Sequence, residues 1–374
     1  MIIAKRCQLT NRQKQSTWAN ISLALAATVF TFLVAELVSR VLHLSPHGFA
    51  ERKLFIYADL SRPTFCYPTN PRGYFPIDLS TETGRATLAQ LAVTEAEAKQ
   101  ISEITPYCVV SNQQRRRSGD FPGREHTVAI IGDSFAFGEG LKDEHTLAHL
   151  MTLKTETVNY RSFARSGATI PVIAEELTDV LVSAPEAQKV IYFYNLNDMY
   201  ETDSLKSTES EINDLQNIRW DKKVSGSWAR VIQKSRFISY LWQRLILREQ
   251  TVKTIEWYNA LYKSEENQFS REQAFADILK IRQESQNAGK QFTMVLYPLL
   301  YKRPDGEYPF AEVHAIMMNF CARSGLHCLD ASHAFDDSRT VSQFTVHPLD
   351  FHPNELANQK VADYLFVADR ELFR

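Results

Sequence analysis

The residues best suited to chemistry are a serine in the middle of the chain and an acid–histidine pair near its end. Ser134 follows an apolar run and a Gly-Asp dipeptide, whereas Asp350 and His352 lie in a proline-containing segment. A serine hydroxyl becomes a good nucleophile only beside a base, and imidazole titrates near neutral pH. A carboxylate can hold that imidazole in the required tautomer. The pattern predicts acyl chemistry with Ser134 as nucleophile, His352 as base and Asp350 as the residue that orients the base.

Acyl transfer also needs hydrogen-bond donors for the oxyanion that forms on the substrate. We expect three: the backbone N–H groups of Ser134 and Gly167, and the side-chain amide of Asn197, because each lies after a predicted strand. Asn197 could instead cap a loop, and His347 could join the acid–histidine pair in a metal site. A metal site would leave the serine unexplained, so we expect no metal and no cofactor. Asp133 is expected to brace the turn by hydrogen bonding.

The elements around these residues predict a parallel α/β fold. The apolar run Val128–Ile131 is typical of a strand buried on both faces. Further strands are predicted over 157–160, 189–194, 291–297 and 326–330, and helices over 146–154, 171–182, 271–288, 310–324 and 355–368. This alternation predicts a three-layer α/β/α sandwich with a five-stranded parallel, flavodoxin-like sheet. Ligands bind beyond the carboxyl ends of such strands, where the residues above fall.

The motifs resemble those of the SGNH hydrolases, the GDSL-type lipase and esterase superfamily. The matching segments are Ile131–Ser134 with Phe137–Gly140, then Gly167, Asn195–Asp198 and Asp350–Asn354. The resemblance covers about residue 126 to the C-terminus and implies the same roles for the serine, the oxyanion donors, the histidine and the acid. It departs from the family pattern where Asn195 replaces the usual glycine. It departs again where one residue, and not two, separates the acid from the histidine.

The N-terminus predicts a membrane anchor. No residue from Ala19 to Ala35 is charged, and apolar residues continue to Leu44. Basic residues precede this run, which places the N-terminus in the cytoplasm and the rest of the chain outside. A cleaved signal peptide is the alternative, but a cleavage site does not follow the run closely. We therefore expect a cytoplasmic segment (1–18), a transmembrane anchor (19–44) and a domain on the periplasmic or extracellular side of the inner membrane.

The remaining chain is expected to form an extension and one main domain. The extension (45–123) is interpreted as irregular, with a helix over Thr94–Ile101. The SGNH hydrolase-like domain (124–374) contains a helical insertion at about 200–288. Within that insertion, residues 228–248 have apolar residues at helical spacing among arginines. The segment is interpreted as a helix packed on its own domain, with contact to a membrane or a partner as the alternative.

The cysteine count agrees with export. Cys7 is expected to be a free thiol on the cytoplasmic side. The other four predict two disulfides, Cys66 with Cys108 and Cys321 with Cys328, since disulfides persist outside the cytoplasm. Zinc binding is the weaker alternative because no pair has the usual ligand spacing.

Composition narrows the functional class. The formal net charge is −2, and the three consecutive arginines at 115–117 are too isolated for a nucleic-acid surface. Together with the resemblance, these features predict a serine esterase that removes small, acetyl-like acyl groups from a cell-envelope carbohydrate or lipid. The alternatives are an O-acyltransferase that modifies a polysaccharide and a catalytically weak glycan-binding or assembly protein of the same fold.

Overall fold

The computed structural model describes residues 2–42, 55–59, 64–67, 76–77, 107–110, 123–139, 141, 143–165, 167–199, 235–301, 307–337, 341–347 and 350–374. Residues 1–47 and 219–247 form one compact unit, and residues 48–218 and 248–374 form the other. The helix predicted over Thr94–Ile101 lies outside the described residues.

The first unit contains a long N-terminal helix, α1 (Ile2–Val41). Within it, Trp18–Val41 is long enough and apolar enough to cross a membrane, with a mean hydropathy of 2.2. Most of the leucine and valine side chains in this stretch are exposed. Length and composition thus agree with the predicted anchor, although a signal sequence would have the same properties. The retained anchor and its orientation therefore stay predictions.

The extension contains four short strands where the sequence predicts an irregular segment. They are β1 (Phe55–Asp59), β2 (Thr64–Tyr67), β3 (Pro76–Ile77) and β4 (Tyr107–Val110), in the order β3-β1-β2-β4. Strands of two to five residues between turn formers are too short for a periodic pattern, so the sequence did not reveal them. Antiparallel pairing of β2 with β4 places Cys66 directly opposite Cys108. Their disulfide stays a prediction.

The second unit is built on a five-stranded parallel sheet. Its strands are β5 (His126–Gly132), β6 (Val158–Ser162), β7 (Ala187–Tyr194), β8 (Gln291–Leu296) and β9 (Cys328–Asp330). The order is β6-β5-β7-β8-β9, which is the flavodoxin-like order that the sequence predicted. The apolar run of β5 is buried on both faces because it lies between β6 and β7 and helices cover the sheet.

Helices lie on both sides of this sheet. They are α2 (Ser134–Phe137), α3 (Leu147–Leu153), α4 (Ile170–Ser183), α6 (Gln268–Asn287), α7 (Ala311–Ser324) and α8 (Glu355–Ala368). Helix α3 packs against α8, and α4 packs against α6. The three-layer α/β/α architecture is therefore confirmed.

A further helix, α5 (Arg236–Lys263), precedes α6 and changes character along its length. In its C-terminal half, beyond the segment 228–248 for which packing was predicted, Trp257, Leu261 and Tyr262 are buried. In its N-terminal half, Leu241 and Leu245 are exposed, so these two residues do not pack on the domain as the prediction for 228–248 expects. Amphipathic spacing alone does not tell which medium an apolar face contacts.

Two strands after the central sheet form a hairpin that precedes the last helix. They are β10 (Thr345–His347) and β11 (Asp350–Pro353), which pair antiparallel. The predicted disulfide between Cys321 and Cys328 is confirmed; it links the last turns of α7 to the start of β9, with a Cα–Cα distance of 6.1 Å.

Candidate active site

The turn after β5 presents Ser134 at the start of a helix. Gly132 has a φ of +150°, and a Cβ there would lie 2.6 Å from the carbonyl oxygen of Phe193, so only glycine fits. Asp133 then caps α2, because its Oδ1 accepts a hydrogen bond of 2.9 Å from the N–H of Phe135. This is the turn-bracing role that the sequence predicted for Asp133. Ser134 follows as the first residue of the helix and is 5% exposed.

His352 reaches this serine from β11. The distance from His352 Nε2 to Ser134 Oγ is 2.8 Å, which is a hydrogen bond. The ring of Phe135 lies against the imidazole, with 5.4 Å between ring centroids, and also contacts the ring of Tyr297 at 5.5 Å. Aromatic packing thus holds the histidine on one side, a contact that no sequence motif indicated.

The hairpin that carries His352 is fastened by the residue that begins α8. Asn354 donates from Nδ2 to the carbonyl oxygens of Gln343, at 2.8 Å, and Thr345, at 3.2 Å. Its Oδ1 accepts from the N–H of Ala357 at 3.2 Å, which caps α8. One side chain therefore joins the loop before β10, β10 itself and α8, and it fixes the backbone two residues after the histidine.

Asp350 lies in β11 with His352, where its backbone pairs with that of His347. The side chains of Asp350 and His347 lie outside the described residues. The predicted contact between the Asp350 carboxylate and Nδ1 of His352 therefore stays a prediction.

A buried carboxyl lies directly beside the serine. Asp133 Oδ2 is 3.2 Å from Ser134 Oγ, and Asp133 is fully buried. Burial raises the pKa of this carboxyl, while hydrogen bonds from the Phe135 N–H and the Asn197 side chain, and the charge of His352, oppose the rise. The serine hydroxyl thus has two acceptors within reach, the imidazole and the carboxylate. No sequence pattern indicated the second acceptor.

The segment after β7 forms a short 3₁₀ turn that begins with Asn195. Asn195 is fully buried, accepts at Oδ1 from the N–H of Asn197 at 3.3 Å and donates from Nδ2 to the carbonyl oxygen of Tyr297 at 3.3 Å. Its φ of −113° does not require glycine. The departure from the family's usual glycine therefore tightens the turn and ties it to the end of β8.

Asp198 stabilises the same turn through its side-chain carboxyl. Its Oδ2 accepts from the hydroxyl of Tyr192 at 2.8 Å and from the N–H of Asn195 at 3.1 Å. Burial and then the neighbouring charge of Asp133 raise the pKa of Asp198 well above its ordinary value. Two carboxyls close together away from water favour a protonated form of at least one.

Asn197 and Gly167, the two predicted oxyanion donors outside the serine, lie at the same edge of the sheet. The Asn197 side chain lowers the pKa of Asp133 and so lies beside the serine turn. Gly167 lies in the loop after β6, which is tied to the turn by a 3.0 Å bond from the Arg165 N–H to the Gly132 carbonyl oxygen. Its φ is +74°, and nothing lies within 4 Å of the place a Cβ would take. The positive φ therefore favours glycine at position 167, and the space beside its Cα is open.

The fold and the site can now be set beside the predicted resemblance. A parallel sheet in this order, with a serine after its first strand bonded to a histidine just before the last helix, is what the resemblance to SGNH hydrolases implies. The fold is therefore the α/β/α sandwich with a flavodoxin-like sheet that this resemblance implies.

Comparisons with known proteins give the following results. No family model and no curated protein match the chain. Among solved structures, it is similar to a lipolytic protein of the G-D-S-L family from Desulfitobacterium hafniense, at 13% identity and a TM-score of 0.38, over 64% of this chain and 96% of that one. It is also similar to the esterase EstA from Pseudoalteromonas, at 13% identity and a TM-score of 0.36, over 66% of this chain and 98% of that one.

A third similar structure is an acetyl xylan esterase, at 13% identity and a TM-score of 0.37, over 65% of this chain and 98% of that one.

Proposed function

We propose that this protein is a serine esterase that hydrolyses small acyl esters on a cell-envelope carbohydrate or lipid. The observation that carries the proposal is the 2.8 Å hydrogen bond between Ser134 Oγ and His352 Nε2 at the carboxyl edge of the sheet. A serine hydroxyl bonded to an imidazole is the arrangement that activates a nucleophile.

In the first half of the reaction, Ser134 Oγ attacks the ester carbonyl carbon while its proton moves to Nε2 of His352. The carbonyl π pair moves to oxygen and forms a tetrahedral oxyanion. The N–H groups of Ser134 and Gly167 and the amide of Asn197 are its proposed donors. The imidazolium then gives its proton to the alcohol oxygen as the ester C–O bond breaks. The products of this half are the free alcohol and an acyl group on Ser134.

Water completes the cycle by the same steps. His352 takes a proton from water as the water oxygen attacks the acyl carbon, and it returns that proton to Ser134 Oγ as the acyl–enzyme bond breaks. The acid leaves, and the net reaction is ester plus water to acid plus alcohol. Asp350 is proposed to stabilise the imidazolium that exists in both halves, so its carboxylate would receive the Nδ1–H of His352.

The contact of Asn197 with Asp133 supports its proposed role. An amide nitrogen carries two hydrogens, so one can hold the Asp133 carboxylate while the second serves the oxyanion. The backbone N–H of Asn197 also donates a hydrogen bond to Oδ1 of Asn195, so Asn197 is held in place before substrate arrives. A donor that needs no reorganisation contributes most to the transition state.

Two features support the proposed substrate class. Ser134 is largely buried, and its partner His352 packs against the ring of Phe135, which favours a small acyl group at the reacting carbon. The apolar helix Trp18–Val41 would hold the enzyme at the membrane, so its proposed substrates are esters within reach of that surface.

Labelling by a fluorophosphonate tests the proposal, since such probes phosphonylate only activated serines. We expect the full-length protein to gain one probe mass on the peptide that contains Ser134, and Ser134→Ala to gain none. The matched control is Ser183→Ala, which removes an exposed hydroxyl at the end of α4 and should label like the parent. No label on the parent, or label retained by Ser134→Ala, would overturn the proposal.

A further inference from the structure

Glu36 is an acidic residue inside the apolar stretch of α1, and its carboxylate is bonded by the start of α5. Oε2 accepts from the hydroxyl of Ser235 at 2.8 Å and from the N–H of Phe237 at 3.0 Å. Oε1 accepts from the N–H of Arg236 at 3.1 Å and from Nε of Arg40 at 2.8 Å. A residue from one helix therefore caps the N-terminus of another that lies 200 positions later in the sequence.

This contact provides hydrogen-bond partners both for the first turn of α5 and for the Glu36 carboxylate, which each would lack in an apolar medium. The first N–H groups of a helix have no partner within the helix, and a carboxylate is costly in hydrocarbon unless it is bonded. Here the open N–H groups of α5 bind the charge of Glu36, and Arg40, one turn further along α1, balances it. A pair satisfied in this way can lie at the edge of a lipid layer at little cost.

The contact also sets where α5 begins relative to the apolar stretch. Glu36 lies five residues before Val41, so about 7.5 Å from the end of the span at 1.5 Å per residue. The ring of Phe237 contacts that of Phe32 at 6.0 Å between centroids, one turn deeper than Glu36. The first turn of α5 thus lies beside the last turns of the apolar stretch and not beyond them.

The next turns of α5 have the side chains of an interfacial helix. Leu241 and Leu245 are 45% and 62% exposed and lie four positions apart, on one face. Between them Arg244 is also exposed, and its guanidinium lies over the ring of Tyr240, 5.2 Å from the centroid. Exposed leucines beside tyrosine and arginine are typical of helices that lie in the headgroup region of a bilayer.

We propose that residues 236–247 of α5 form a second membrane-contacting element, which lies in the lipid interface at the C-terminal end of the α1 span and is held there by Glu36. The partner of its exposed leucines is the acyl-chain region of the bilayer, and that of Arg244 is the anionic headgroups. The proposal rests on α1 spanning a membrane and is independent of the proposed esterase activity.

Photo-crosslinking of the full-length protein tests this placement. p-Benzoylphenylalanine replaces Leu241 or Leu245, the protein is reconstituted in vesicles of phosphatidylethanolamine and phosphatidylglycerol, and adducts are identified by mass spectrometry after irradiation. Matched controls place the same residue at Phe269 and Val182, which are apolar positions of even greater exposure, at 78% and 74%. We expect lipid adducts at 241 and 245 about fivefold or more above the controls. Lipid adducts equal to the controls, or adducts to protein alone, would overturn the proposal.

The role of Glu36 in holding α5 at the interface is tested with Glu36→Ala in the protein that carries the photo-crosslinker at 245. Loss of the cap should lower lipid adducts at 245 several-fold, while adducts from the same crosslinker at Leu25, in the apolar stretch, stay constant. The variant should hydrolyse a soluble aryl ester at the parent rate, because Glu36 takes no part in the proposed chemistry. Unchanged adducts at 245 in Glu36→Ala would contradict the role of Glu36.

Discussion

Nε2 of His352 lies 2.8 Å from Oγ of Ser134, although 218 positions separate the two residues in the sequence. The contact exists because β5 ends at the carboxyl edge of the sheet and the β10–β11 hairpin reaches the same edge just before α8. The proposed chemistry therefore depends on a backbone arrangement at each end of this bond, and each can be changed separately.

Asn354→Ala should loosen the hairpin that holds the histidine. The substitution removes two bonds to backbone carbonyls and the cap of α8, so we expect a loss of about 1–2 kcal/mol of unfolding free energy. We expect kcat on an aryl ester to fall about 10-fold or more, since small misplacements of a base are costly. The measurements are denaturant unfolding and steady-state kinetics.

The control for this prediction is Thr169→Ala. Thr169 occupies the same position before α4 but makes no side-chain cap bond, so its loss should change stability by no more than about 0.5 kcal/mol. An Asn354→Ala protein with parent kcat would show that the hairpin needs no such fastening.

Asp350→Asn should lower turnover without abolishing it. The amide keeps the shape of the side chain but removes the charge proposed to stabilise the imidazolium, and it permits the wrong tautomer. We expect kcat to fall roughly 10- to 1000-fold, because water can partly replace the acid as the partner of the imidazole. The measurement is kcat against pH, with His352→Ala as reference. A parent-like profile together with an inactive His352→Ala would mean that the site is a Ser-His dyad.

Asp198→Asn should change how stability depends on pH. Burial raises the pKa of Asp198 well above its ordinary value, so the folded protein holds a proton that the unfolded chain releases. The unfolding free energy should therefore fall as pH rises above about 4, by up to about 1.4 kcal/mol per pH unit, until the raised pKa is passed. The amide that replaces the carboxyl cannot ionise, so the decline should be shallower in the variant.

This prediction is measured by denaturant unfolding between pH 5 and 8. Asp133, whose pKa is also raised by burial, adds a decline of the same sign that remains in the variant. Asp179→Asn, at an exposed position in α4, serves as the control and should keep the parent's slope. Equal slopes in Asp198→Asn and the parent would show that Asp198 is ionised in the fold.

The cysteines should report where the domain folds. In protein exported to the periplasm and denatured without reductant, we expect one free thiol, that of Cys7, because Cys321–Cys328 and the predicted Cys66–Cys108 pair are oxidised. Quantitative thiol alkylation followed by mass spectrometry gives the count. Three free thiols, with Cys66 and Cys108 alkylated, would contradict the Cys66–Cys108 disulfide but not the Cys321–Cys328 disulfide.

Much of this arrangement could be predicted because it depends on local pattern. Buried parallel strands are continuous apolar runs, which marked β5 and β7, and the predicted bounds of the last helix, Glu355–Ala368, match the structure. The glycine that ends β5 and the serine after it could also be read directly, since a sharp turn at a strand end restricts residue type.

The rest depends on contacts between distant segments. The Asp133 carboxylate beside Asn197, the Asn195 side chain on Tyr297 and the Phe135 ring against the histidine each join residues from different elements. Periodicity carries no information about such contacts. The two halves of α5 are a further example. Helical spacing of apolar residues occurs both where the side chains are buried and where they are exposed, so the spacing does not predict burial.

The most direct test of the central claim is hydrolysis of a short-chain aryl ester by the full-length protein and its Ser134→Ala variant. Removing one hydroxyl at the start of α2 should change stability by no more than about 1 kcal/mol, so the variant should fold. With Ser183→Ala at the parent rate, we expect Ser134→Ala to lose several orders of magnitude, roughly 10³-fold or more, in kcat. Hydrolysis by Ser134→Ala at the parent rate would contradict the serine mechanism.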